Sequence, residues 1–285
     1  MFYGLFDTNH TSHGHTILPV QIRTDQFLKG ISMNRLSRLK QLATALTCAG
    51  LSQLALAHGG EHHTGGIQSQ MAKGGKAPYD IVHTKITTQG NVAVFHMHVS
   101  GRAGASKPTK TGKLAGSSVF SYVWPTSLDP STVGFEAKSG ILAFAVTSHP
   151  DFDDTPLFDE NGDGDTKNDG GVWHSHWVVL QPDDACGKGA LKVVDIPDGT
   201  KPKLPKTWPG LPILIDSPGW SPIFKGSTVE VRVPFDEIGA VNTANFDGVT
   251  AALRVNASTH NPLLCVVDVF KVASGDLSLP GKVTQ

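Results

Sequence analysis

Two short stretches carry paired imidazoles at strand spacing: His96-Met97-His98 within NVAVFHMHVSG and His174-Ser175-His176 within GGVWHSHWVVL. On an extended strand, residues i and i+2 face the same way, about 6.5–7 Å apart along the chain. Two rings so placed can converge on one ion at about 2.0–2.1 Å from nitrogen. Each pair therefore reads as a candidate half-site, and His96 and His98 are expected on a strand next to that of His174 and His176. His149 closes another apolar run, and His83 and His260 are also available. His58, His62 and His63 crowd a Gly-rich stretch near the start of the exported chain. Imidazole suits copper, zinc, nickel and iron alike. No carboxylate follows either pair at the spacing of a facial triad.

A second group of residues favours a hard cation. In DFDDTPLFDENGDGDTKNDGG (151–171), Asp159, Asn161 and Asp163 occupy alternate positions and Gly164 follows. This is the first half of an EF-hand loop, with Asp165 placed to offer its carbonyl. The closing glutamate is missing, because Gly170 stands there. The expectation is an EF-like calcium loop inserted between strands, closed by Asp169 or by Asp151, Asp153 or Asp154. Carboxylates this dense repel one another unless a cation joins them.

The combination resembles the surface-associated copper(I)-binding proteins of methane-oxidising bacteria: an exported, Gly-rich β protein with an acidic loop and the VWHSHW segment. The resemblance implies copper held by two histidines and an oxidised tryptophan, a kynurenine, together with bound calcium. Trp173 and Trp177 flank the histidine pair but alternate to the opposite face. Trp124 is the other candidate.

The elements that must position these residues are strands. About ten segments between residues 79 and 285 are short, rich in β-branched or aromatic residues and bounded by turn residues. One helical turn is expected near residues 235–240. The absence of alternating helices points to an all-β fold, an antiparallel two-sheet β-sandwich or distorted barrel with long loops. VAVF and ILAFAV are apolar on both faces, so they are expected in central, doubly covered strands. Residues 79–285 read as a single domain behind a flexible His/Gly-rich tail, 58–78.

Upstream, MNRLSRLK from Met33, the apolar QLATALTCAGLSQLALA and its Ala-Leu-Ala end read as a signal peptide spanning 33–57. Residues 1–32 are expected to lie before the true start and to have no fold. Cys48 leaves with the signal, and Cys186 and Cys265 are expected to pair in an oxidising compartment. A thiolate metal site is the competing reading. The formal net charge of −1 carries no basic excess, so nothing points to nucleic acid. No other segment has the length to span a membrane.

These features define an exported metal-binding protein, periplasmic, secreted or on the cell surface, holding copper and a structural calcium. Its partners would be metal ions, the cell surface or another copper protein. Two alternatives remain at this stage: a cupin-like metalloenzyme, and a calcium-dependent sugar- or surface-binding sandwich with exposed tryptophans.

Overall fold

The computed structural model describes residues 65–151, 159, 163–167, 169–256 and 263–285. His58, His62, His63, Asn161 and His260, the signal segment and the upstream residues fall outside that set. All ten segments read as strands form strands, joined by four short ones. The one α-helical turn among the described residues, α1 (Gly239–Asn242), overlaps the end of the expected 235–240. No helix among the described residues is long and apolar enough to cross a membrane.

Numbered in chain order, the first strands are β1 (Ile67–Gln68), β2 (Ile81–Gln89), β3 (Val92–Val99) and β4 (Ser118–Pro125). They are followed by β5 (Ile141–Ser148), β6 (His174–Pro182), β7 (Leu191–Val193) and β8 (Ile215–Asp216). The rest are β9 (Ile223–Lys225), β10 (Thr228–Pro234), β11 (Asn245–Phe246), β12 (Val249–Val255), β13 (Leu264–Val272) and β14 (Gly281–Lys282). One antiparallel sheet has the order β1-β2-β3-β10-β9. A second runs β5-β4-β12-β13-β7-β6-β8, and its first strand also pairs with β6. That extra pairing closes β4, β5, β6, β7, β13 and β12 into a six-stranded barrel. Strands β11 and β14 form a separate ribbon.

Period-2 alternation divides the barrel strands between two apolar environments. Strand β4 sends Tyr122 and Trp124 toward the first sheet, and Val119, Ser121 and Val123 into the barrel. Strand β5 likewise sends Leu142, Phe144 and Val146 outward and Ala143 and Ala145 inward. The outward side chains meet Phe95, Met97, Val229 and Val231 of the first sheet. Phe95 is the hub, 4.5 Å from Phe144 and 5.7 Å from Trp177 between ring centroids. This explains why ILAFAV is apolar on both faces: one lines the lumen and the other the intersheet core. The same expectation for VAVF is corrected. Along β3 buried and half-buried residues alternate, so only one face is covered. The 58–78 tail also needs correction at Ile67, which is buried and pairs with Thr84 as part of β1.

Gly140 sits at φ 149°, just before β5 pairs with β6. A Cβ there would lie 2.5 Å from the Leu180 carbonyl oxygen, so glycine is what permits the strands to close at this point.

The barrel has one weak seam. Strands β13 and β7 meet in a single residue pair, Cys265 opposite Lys192. Around it, Cys186 and Cys265 form a disulfide, and the Leu263 N–H donates to Asp195 Oδ1 at 3.0 Å. Lys192 Nζ bridges Asp183 at 2.9 Å and Asp195 at 3.1 Å. Lys192 and the Ala185 N–H hold the Asp183 carboxyl below its ordinary range. A depressed carboxylate stabilises the fold above its unfolded pKa, and that contribution is lost as pH falls through the folded value. Lys192→Met is therefore expected to destabilise the protein at pH 7, with the difference from wild type shrinking below about pH 4. Urea unfolding of both proteins at the two pH values checks this, and an undiminished gap in acid would contradict it.

Candidate metal centre

Three buried histidines come together where β5 ends and β6 begins. His149 follows the last residue of β5, and its N–H donates to the Gly170 carbonyl at 2.7 Å. His174 and His176 open β6, where Thr147 pairs with His174 and Ala145 with His176. The ring nitrogens of His149, His174 and His176 offer one ligand atom each, all within 4.8 Å of one another. All three residues are no more than 2% exposed.

The surroundings fix ring orientation. His174 Nδ1 lies 2.8 Å from the Val172 carbonyl, so this nitrogen carries the proton and Nε2 presents a lone pair. His176 Nδ1 lies 3.1 Å from Ser217 Oγ and 3.3 Å from the Asp216 carbonyl, which turns its Nε2 toward the other two rings. His149 Nε2 is 2.7 Å from His174 Nε2. With the His174 lone pair fixed, that contact is an N–H···N hydrogen bond donated by His149. A metal taking the place of this proton would push the two nitrogens apart to about 3.4–3.6 Å, given metal–nitrogen distances near 2.0–2.1 Å. A small rotation of His149, at the strand end, supplies that movement.

Among the described residues no carboxylate joins the three nitrogens. Asp216 presents its carbonyl to His176, while its carboxylate accepts from Thr207 Oγ1 at 2.6 Å. Burial pushes the Asp216 carboxyl up to about 6, against the lowering effect of the Thr207 and Ser217 hydrogen bonds. The site thus offers three neutral donors in an environment that disfavours charge.

The expected half-site from β3 is corrected. His96 and His98 belong to the first sheet, in which Phe95, Met97 and Val99 take the buried face. Their imidazoles point outward, opposite Glu230 and Thr228 of β10. His96 Nδ1 lies 3.7 Å from Glu230 Oε2. One parity of VAVFHMHV is wholly apolar (Ala93, Phe95, Met97, Val99) and takes the core, while the histidines share the other parity with Val92 and Val94. The triad's third member was available in the sequence as the histidine ending ILAFAVTSH. What the sequence hid is that β5 and β6 are direct partners, joined by the acidic insertion.

That insertion has its two feet on the site. It leaves after His149 and returns through a 3-10 turn, Asp169–Gly171, directly before His174. Asp159 accepts from the Asp163 and Gly164 N–H groups, Asp163 from Asp165, and Asp165 from Lys167. Asp169 is fully buried in the turn, apart from the exposed Asp163 and Asp165. Asp151 is engaged elsewhere, accepting from the Thr111 and Gly112 N–H groups at 2.7 Å.

The tryptophans lie on the other side of the barrel wall. Trp177 packs against Phe144 and Phe235, and the Trp124 indole N–H donates to Thr84 Oγ1 at 2.9 Å. Trp173 packs at a tilt against Tyr122, 5.2 Å between ring centroids, and donates to the Gly104 carbonyl. Comparison with protein-family models, curated proteins and solved structures finds no match for this chain.

Proposed function

We propose that this is an exported metal-binding protein that holds one copper ion, as copper(I), through His149, His174 and His176. The carrying observation is the convergence of three buried imidazole nitrogens, with no anionic ligand among them in the described residues. Copper(I) in such a set leaves one net positive charge, whereas a divalent ion leaves two. Burying charge without a compensating anion is costly, so the buried, carboxylate-free site favours the monovalent ion. A role in sequestration or hand-over follows better than turnover, since among the described residues no carboxylate joins the three nitrogens as a general base.

In the same reading the acidic loop takes calcium through Asp159, Asp163 and Asp165. A calcium ion held there would tie the loop between its two feet, and so bear on the His149–His174 geometry. The sugar-binding alternative loses its main support, because no aromatic side chain among the described residues is exposed.

Elemental analysis of untagged protein, purified without added metal and then dialysed against copper(I) under argon, is expected to give one copper per chain. Zinc at one per chain with no copper uptake would support the cupin-like metalloenzyme reading instead, since a three-histidine zinc site keeps an open position for water.

A further inference from the structure

The barrel is hollow. Its inward faces line a partly open cavity of about 540 Å³, bounded by Val119, Val123, Ala251, Leu253, Val266 and other aliphatic side chains from all six strands. Protein interiors pack with few voids larger than a water molecule, so a cavity of this size is a feature of the fold rather than a packing fault. It falls within the range of small-molecule sites, and an apolar cavity is a poor host for water. Small residues keep it open. Ala145 and Ala251 stand where larger side chains would fill a six-stranded barrel, and the Ser121 hydroxyl is turned to the wall to donate to the Ala251 carbonyl.

The two ends of the lumen differ. His149 and His176 line it beside the start of β6. Beyond the end of β6, the loop carrying the disulfide's Cys186 contributes Lys188, which is exposed and is the only charged residue in the lining. Access comes along the split wall. Past Cys265, β13 pairs only with β12, and Val267 and Val269 stand 42% and 49% exposed at the cavity's edge.

We propose that the lumen binds a medium-length aliphatic monocarboxylate, its chain inside the barrel and its carboxylate at the mouth beside Lys188. A carboxylate is expensive to bury without a partner but keeps water and a cation at the mouth, while the chain gains from every methylene withdrawn from solvent. The chain's far end would then lie against the histidines and keep water from them. The lumen site does not rest on the copper reading, because the cavity is defined by the strands.

The test uses dodecanoate and dodecan-1-ol with chelator-treated, full-length exported protein, followed by calorimetry and thermal unfolding. Wild type is expected to bind dodecanoate with one-to-one stoichiometry and a raised Tm. Ala251→Phe and, separately, Val123→Phe should fill the lumen and weaken both ligands at least about tenfold, since each methylene denied burial matters. Far-UV circular dichroism and a cooperative thermal transition report that these variants remain folded. Lys188→Ala should weaken dodecanoate about fivefold and leave dodecan-1-ol unchanged. No binding to wild type, or wild-type affinity in both filled variants, overturns the proposal. Loss of carboxylate preference in His176→Leu but not in Lys188→Ala overturns the stated orientation. Dodecanoate binding by a protein that takes up no copper would sink the metal reading and leave this one standing.

Discussion

His149→Ala is expected to lower copper affinity by more than about a hundredfold, and His174→Ala and His176→Ala by as much. The double variant His96→Ala/His98→Ala should bind like wild type. Losing a group that merely orients a ligand costs about 10–100-fold in metal affinity, so loss of a ligand itself must exceed that. The contrast is sharp because both His-x-His pairs look alike in sequence, yet among the described residues only one converges with a third imidazole within 4.8 Å; His83, 6.3 Å from His96 between ring centroids, has its Nε2 2.7 Å from the Gly65 carbonyl. Competition titration with a chromophoric copper(I) chelator reads wild type and all four variants on one scale. A wild-type constant for His149→Ala, or a large loss for the β3 double variant, would remove the triad as the site. Trp177→Phe belongs in the same series. Its ring packs on the intersheet side against Phe95 and Phe144, so copper affinity should not change. A strong loss there would instead favour the tryptophan-derived ligand that the family resemblance implies.

The HSH pair was readable because β6 is covered on both faces, so whichever parity carried the histidines would be buried. HMH was not readable in the same way. Strand β3 has one outward face, and Val94, His96 and His98 occupy it while Met97 goes to the core. A valine on that outward face disguised it as a second buried side. Glu230, which lies opposite His96, comes from a strand more than a hundred residues away, and no local pattern announces it. Strand positions themselves were legible from β-branched runs and turn residues. Barrel closure was not, because it depends on the register of β5 against β6 and on small residues such as Ala145 that leave the lumen open. The hollow is a property of what is missing from the interior, and composition does not record that.

The disulfide was expected from the redox compartment alone, and its place in the fold gives it a larger role than a generic staple. It joins the turn after β6 to the first residues of β13, at the one point where β13 and β7 pair. Cys186→Ser/Cys265→Ser is expected to cost about 4–5 kcal/mol by loop-closure entropy, the two cysteines being 79 residues apart. Its structural effect should be uneven. The sheet of β2, β3 and β10 shares long ladders and keeps its protection, whereas β7 and the start of β13 lose the covalent tie that holds a single residue pair together. Hydrogen exchange on oxidised and double-serine proteins checks this: Val193 and Val266 amides should exchange markedly faster, while Phe95 and Val231 follow only the global loss. Lys192 gains weight in the same variant, since its bridge to Asp195 holds the carboxylate that accepts from the Leu263 N–H across the seam. Removing Lys192 as well should therefore destabilise more than the sum of the separate losses, as expected for groups that share one contact. Strictly additive losses, or uniform acceleration of exchange through both sheets, would show that the barrel closes without help from this seam.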